Sequence, residues 1–207
     1  MINNILEKLC DGVDLSEAEI DSFFSLMMEG SLSDTHAASF LTALKIKKPS
    51  AEEIFFASNV LLKNLDIASS HNFNLLDLCG TGGDSKSTLN VSTISSLILA
   101  SIGIKIAKHG NRSVSSKVGS ADLIESLGIP LDNSFDDSLE SIDRNNFSFL
   151  YAPNFHKSMK NVAHIRKELK MRTIFNILGP LVNPLRPKFQ VMGVYDKDLL
   201  LVMAKVL

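Results

Sequence analysis

The segment Leu75-Leu76-Asp77-Leu78-Cys79-Gly80-Thr81-Gly82-Gly83-Asp84 constrains this chain most. A short run that reads as a buried strand passes directly into three glycines within four positions. A helical stretch follows, with Ile94, Leu97, Ile98 and Ile102 at helical spacing and Gly103 as its stop. Strand, glycine turn and helix open a right-handed βαβ crossover, which requires a second, parallel strand beside the first. Ile104-Lys105-Ile106-Ala107 supplies that strand and leads into a polar loop at His109-Gly110-Asn111-Arg112-Ser113. Another helix is expected over Ala121 to Leu127, stopped by Gly128, with further strands at Phe147–Tyr151 and Gln190–Val194. The expectation is an α/β fold with a mostly parallel sheet.

Residues before His71 read as helices only. Ser16-Glu17-Ala18-Glu19 and Ser50-Ala51-Glu52-Glu53 both match the capping box, an N-cap hydroxyl with a carboxylate three residues on. Ile20, Phe23, Phe24 and Met27 fall on one helical face closed by Gly30. A helix starting at Ser33-Asp34 carries Ala37, Phe40, Leu41 and Leu44, and Lys47-Lys48-Pro49 ends it. The stretch from His156 to Arg172 is basic, with Met159, Val162 and Ile165 as an apolar side and Lys160 and Lys167 toward water. The expected division is a helical domain over 1–70, with helices of about 156–188 packing on it as a hinge region. The α/β domain takes residues 71–155 and 189–207.

Composition removes several function classes. The 207 residues are 45% hydrophobic, which excludes wholesale disorder, and the formal net charge of −2 excludes a generally basic nucleic-acid binder. Two cysteines, Cys10 and Cys79, far apart in the sequence and without Cx₂C spacing, argue against a zinc or disulfide scaffold and fit a reducing compartment. No run reaches the ~20 apolar residues of a membrane helix, and the N-terminus lacks a secretion signal. A soluble cytoplasmic protein is expected.

The glycine turn lets backbone N–H groups approach a ligand closely beside a helix start. It matches neither the P-loop, which needs Gly-Lys-Ser/Thr, nor the dinucleotide fingerprint, where Ser85 replaces the third glycine. Asp84 would repel a bare phosphate, so a metal ion or a sugar hydroxyl suits it better. Thr88, Asn90, Ser92 and Thr93 place more short polar groups at the helix start than capping needs. The second loop carries Lys108, Arg112 and Lys117, with Ser113, Ser115 and Ser116 as hydrogen-bond donors for phosphate oxygens. Adjacent parallel strands open at the same sheet edge, so both loops face one crevice. No Ser-His-Asp or Cys-His spacing of catalytic type is present.

These motifs resemble those of the anthranilate phosphoribosyltransferase family of tryptophan biosynthesis. The resemblance runs through Asp77–Asp84, Asn90–Thr93, Lys108–Ser113, Gly119–Asp122, Arg166–Leu169 and Arg172–Pro184. It implies a small helical domain hinged on an α/β domain, a homodimer, and transfer of phosphoribose from 5-phosphoribosyl-1-pyrophosphate to the anthranilate amino group with Mg2+. The donor site it implies comprises Gly80, Gly83, Asp84, Thr88, Asn90, Val91, Ser92, Thr93, Lys108, Arg112, Ser113, Ser115, Ser116 and Ser120. Ser92 matches a magnesium ligand. Gly80, Asn111 and Arg166 match anthranilate contacts, with His109, Pro153 and His156 lining the aromatic path. Catalysis of this kind is positioning and electrostatic stabilisation without a nucleophilic side chain.

Departures from the family pattern are Ser85 and Lys170 for usual glycines, Leu89 for Phe, His164 for Pro, and Lys48-Pro49 for Gly-Glu. The family's acidic Asp-Glu magnesium pair has no counterpart in these residues, and the apolar run Leu199–Leu207 lacks a cap. Both imply an α/β domain that is incomplete in this chain and an activity that the 207 residues alone do not support. The competing readings are a non-catalytic remnant, a nucleic-acid-binding relative, for which the cluster from His156 to Arg172 speaks, and a pyrimidine-nucleoside phosphorylase. The overall charge disfavours nucleic acid, and the second loop disfavours the phosphorylase.

Overall fold

The computed structural model describes residues 2–65, 71–82, 89–112 and 119–207. In chain order these form α1 (Ile2–Cys10), α2 (Glu17–Glu29), α3 (Asp34–Lys47), α4 (Ala51–Lys63), β1 (Leu76–Gly80), α5 (Val91–Ser101), β2 (Ile106–Gly110) and α6 (Ser120–Ser126). There follow α7 (Phe135–Asn145), β3 (Phe147–Tyr151), α8 (Ala152–Phe155), α9 (Lys160–Leu169), α10 (Ile174–Leu178), β4 (Phe189–Gly193) and α11 (Lys197–Val206). Two compact units result: unit 1 is Met1–Asn64, His156–Leu181 and Asp196–Leu207, and unit 2 is Leu65–Phe155 and Val182–Tyr195.

In unit 1 both capping boxes form. The Ser16 hydroxyl accepts the Glu19 amide while the Glu19 carboxylate accepts the Ser16 amide at 2.9 Å, and Ser50 and Glu53 repeat the pattern. Once the ends are fixed, the apolar faces pack. Phe23 stacks on Phe40 with centroids 4.0 Å apart, and Phe24 meets Phe40 and Phe175 edge-on. Glu53 is fully buried inside this unit and accepts the Leu15 amide at 2.9 Å and Lys47 Nζ at 2.8 Å, while Lys47 also meets Asp14. A buried carboxylate survives only when satisfied in this way. Gly30 takes φ 74° and closes α2, and Asn161 Nδ2 of α9 donates to the Met28 carbonyl at that end. On α9, Val162 and Ile165 are buried, while Lys160 and Lys167 are exposed. Helix α11 buries Met203 and packs on α4. Residues 196–207 thus belong with the helices, where the sequence reading grouped them with the sheet. Periodicity marks an apolar face without saying which layer it covers.

Unit 2 is a four-stranded sheet, all parallel, in the order β3-β2-β1-β4. One face packs Leu78, Ile106, Phe147 and Phe149 against Ala100, Ala121 and Ile124 of the flanking helices. The other packs Leu75, Ala107 and Leu150 against Ile142, Phe155 and Leu185. Strand β2 runs on to Gly110, so Lys108, His109 and Gly110 lie in the sheet rather than in the loop expected from their polarity. The reason is local: neighbouring groups satisfy these polar side chains, as described below. Helix α7 has a capping box at Ser134 and Asp137 and buries Ile142, a signal readable in the sequence but absent from the reading above. No helix among the described residues is long and apolar enough to cross a membrane.

Two lysines adopt left-handed backbone: Lys48 at φ 68° and Lys170 at φ 46°. Both stand where the resembled family has glycine, and a Cβ costs energy there. Lys170→Gly should therefore stabilise the protein by about 1 kcal/mol, read as a higher urea midpoint at unchanged slope; a lower midpoint would refute the strain. A second prediction concerns acid. Lys8 at 2.7 Å and the Ser16 cap hold the Glu19 carboxyl down at about 2. A depressed carboxyl stabilises the fold above its unfolded pKa and loses that contribution as pH falls toward the folded value. Glu19→Gln should weaken the protein at neutral pH and flatten its stability loss between about pH 5 and pH 2. Parallel acid profiles for the two proteins would count against the assignment.

Candidate functional site

Lys108 is the centre of the arrangement in unit 2. It projects from β2 on the face that also carries Ile106, and it is 2% exposed. Its Nζ donates to the Leu78 carbonyl at 2.6 Å and to Ser92 Oγ at 3.3 Å. Burial pulls its pKa below the ordinary lysine value, and the nearby Asp77 charge opposes that pull. A buried ammonium bound to one carbonyl and one hydroxyl has capacity left for an anion.

The start of α5 brings further polar groups to Lys108. Asn90 is the N-cap, and its Oδ1 accepts the Thr93 amide at 3.3 Å, Thr93 Oγ1 at 2.8 Å and Ser92 Oγ at 3.4 Å. Thr93 is thereby turned inward and fully buried, while Asn90 and Ser92 remain partly exposed. Val91 is exposed, and its amide is already taken by the Leu89 carbonyl at 2.8 Å. Gly80 ends β1 against Gly193, and a Cβ at Gly80 would come within 3.3 Å of the Gly193 carbonyl.

At the end of β2, Ser120 Oγ donates to the Asn111 carbonyl at 3.1 Å, and Asn111 Oδ1 accepts the Arg112 amide at 2.7 Å. The Arg112 guanidinium is engaged by Asp122 at 2.9 Å and by Glu125 through two bonds of 2.8 Å, which raise its already high pKa. Its charge is thus balanced by carboxylates rather than held open for phosphate. His109 is buried in β2. The Cys79 thiol, on β1, is pushed far above its usual range by burial, which makes it no nucleophile.

Arg166 and His156 belong to unit 1, and Pro153, exposed on α8, to unit 2. His156 is buried just before the turn at Lys157–Met159. Arg166 is half-buried, with its guanidinium carbon 5.2 Å from the Phe175 ring centroid. Burial lowers its pKa, and no carboxylate among the described residues pairs with it. A desolvated guanidinium without an acid has the geometry to take a carboxylate by two parallel bonds. Gly83, Asp84, Thr88, Ser113, Ser115 and Ser116 lie outside the described residues.

Two residues of the arrangement were not picked out as site residues from the sequence. Asp77, fully buried on β1, accepts the His109 amide at 3.3 Å and Asn183 Nδ2 at 3.0 Å. Asn183 also donates to the Ala107 carbonyl at 2.8 Å. The available signal was a carboxylate in the middle of the apolar run Leu75–Cys79.

A parallel sheet carrying a buried lysine and a polar helix start is the frame of a ligand-binding α/β domain, and comparison with known proteins identifies which kind. Residues 72–207 match the glycosyl transferase family, a/b domain, and residues 3–64 match its helical bundle domain. The chain belongs to the glycosyl transferase family. The relatives it resembles are anthranilate phosphoribosyltransferases. That of Persephonella marina is 48% identical over the whole of this chain and 61% of its own length, and that of Chloroherpeton thalassium is 45% identical over 60% of its length. Among solved structures, the Thermus thermophilus anthranilate phosphoribosyltransferase superposes with a TM-score of 0.90 at 39% identity, over 98% of this chain and 61% of that one. The Saccharomyces cerevisiae enzyme in complex with PRPP and Mg gives 0.89 at 32% identity, over 99% and 61%. The chain thus spans about three fifths of the length of these relatives.

Gly110 tests the packing on which this edge depends. A Cβ there would lie 2.5 Å from Ser120 Oγ and 2.9 Å from Phe149 Cζ. Gly110→Ala should destabilise the protein by roughly 1–3 kcal/mol through overpacking and speed amide exchange at Asn111 and Arg112. An unchanged melting temperature would mean that Ser120 and Phe149 yield freely.

Proposed function

We propose that this protein acts in the transfer of phosphoribose from 5-phosphoribosyl-1-pyrophosphate to the amino group of anthranilate, releasing pyrophosphate, in tryptophan biosynthesis. The observation that carries the reading is the buried Lys108 ammonium joined to Ser92 beside the Asn90–Thr93 helix start. That cluster offers a cation and the partly exposed Ser92 and Asn90 side chains to a phosphorylated sugar. The relatives' names and the yeast neighbour's PRPP and Mg complex support the same chemistry. On this reading the donor is held by residues 71–155, and the acceptor carboxylate by Arg166.

The groups present fit a magnesium ion carried by phosphates. Ser92 Oγ is an oxygen donor suited to a hard cation, whereas Asn90 Oδ1 is already taken by Ser92 and Thr93. No three His, Cys, Asp or Glu side chains cluster among the described residues. Bound with the donor, the ion would neutralise charge on the pyrophosphate and so ease its departure. Ser92 is the residue to hold it. The protein's own contribution is electrostatic: Lys108 stabilises negative charge, and Arg166 orients anthranilate by a two-pronged grip that a lysine would not reproduce. Neither role calls for a nucleophile. We also propose that the protein works as a homodimer, as the family resemblance implies, and in the cytoplasm, as its composition suggests.

Arg166→Ala should raise the anthranilate KM far more than the donor KM, measured in steady-state assays of the full-length protein with Mg2+. Equal effects on both substrates would remove Arg166 from the acceptor site, and absence of turnover in the unaltered protein would overturn the reading.

A further inference from the structure

Parallel strands exchange evenly spaced bonds, alternate residues of each donating an amide to and accepting at a carbonyl from the other. The outer pairs of this sheet keep that pattern over five residues, β1 with β4 and β2 with β3. The central pair does not: β1 and β2 are in register only at Leu76 and Ile106. Beyond that point side chains take over the backbone groups. The His109 amide, which a continued ladder would aim at the Leu78 carbonyl, donates to Asp77 Oδ1 at 3.3 Å. The Leu78 carbonyl accepts Lys108 Nζ at 2.6 Å, and the Ala107 carbonyl accepts Asn183 Nδ2 at 2.8 Å.

Asn183 fixes this arrangement from both ends of its amide. Its Nδ2 spends one proton on Ala107 and the other on Asp77 Oδ2 at 3.0 Å, and its Oδ1 accepts the Leu185 amide at 3.0 Å. Asp77 is fully buried and Asn183 nearly so. Burial pushes the Asp77 carboxyl up, and the Asn183 amide, the Lys108 charge and the His109 amide oppose this. An apolar side chain at position 77 would avoid that desolvation, as Leu75, Leu76 and Leu78 do around it. What the carboxylate does that a leucine would not is accept the amide of the residue directly after Lys108, hold the Asn183 amide and balance the Lys108 charge.

We infer that Asp77 and Asn183 are positioning residues for the phosphoribosyl donor, holding the carboxyl end of β2 parted from β1. The parted end leaves Lys108 directed at Leu78 and Ser92 and carries Gly110 through Arg112 at the sheet edge. The inference rests on the donor site proposed above and gives that site a cause within the sheet: without the pair, β2 closes toward an ordinary ladder and the ammonium loses its place.

The test compares Asp77→Ala, Asn183→Ala and the double variant in the full-length protein. Donor binding is measured calorimetrically with Mg2+, KM and kcat for both substrates in steady state, and His109 amide exchange by NMR. Each single change should weaken donor binding and raise donor KM by about tenfold, leaving the anthranilate KM within about twofold. The double variant should lose no more than the worse single one, because the two residues act as one unit. The His109 amide should exchange faster in Asp77→Ala. Where that variant does not fold, Asn183→Ala, which leaves the carboxylate on the His109 amide, carries the same comparison. Variants that lose thermal stability yet bind donor like the unaltered protein would overturn the inference while leaving the donor site standing. If the unaltered protein binds no donor, the donor site and the inference fall together.

Discussion

When two parallel strands part before their ends, the N–H and C=O groups that faced each other must find new partners or be buried unsatisfied. In unit 2 this happens at the centre of the sheet, between β1 and β2, and three side chains take up the freed groups: Asp77, Lys108 and Asn183. The arrangement has consequences in both directions. It opens a sheet edge of the kind at which α/β proteins hold ligands. It also places a lysine where burial would otherwise be prohibitive, since its ammonium is met by a backbone carbonyl and the Ser92 hydroxyl, with the Asp77 charge nearby. The site chemistry and the sheet topology are therefore one feature.

Unit 1 solves a comparable problem with a different group. Its helices are positioned by caps and aromatic packing, and the fully buried carboxylate of Glu53 ties the loop before α2, the end of α3 and the start of α4 into one network. Arg166 on α9 is the contrasting case. It is half-buried beside Phe175 without a carboxylate among the described residues. A paired Glu53 belongs to the scaffold, while a desolvated guanidinium with no acid is suited to a ligand. Arg112 falls on the scaffold side of the same distinction, held by Asp122 and Glu125.

Much of this was legible in the residues because local rules and tertiary outcome agree. Ser16 with Glu19 and Ser50 with Glu53 are capping boxes in sequence and in structure, and the four strand segments lie where short apolar runs end in glycine or polar residues. Polarity misled at Lys108, His109 and Gly110, which read as loop yet form the end of β2. Residue type reports what a side chain would prefer alone, whereas a strand position is decided by partners distant in sequence. Asn183, 106 residues from Asp77 along the chain, is such a partner. Helix α11 shows the same limit, since its apolar face does not state that α4 is what it covers.

The sequence by itself determined the helical segments and their caps, the parallel α/β character, and the polar groups gathered at the ends of the first two strands. Those follow from propensity, periodicity and glycine placement, which act over a few residues. The tertiary structure alone decided that the central strands part, that Asp77 and Asn183 hold them so, and that Lys108 is buried and charge-balanced while Arg112 is committed to neighbouring acids. Each of these depends on the satisfaction of buried polar groups by residues remote in the chain, and no local pattern encodes it.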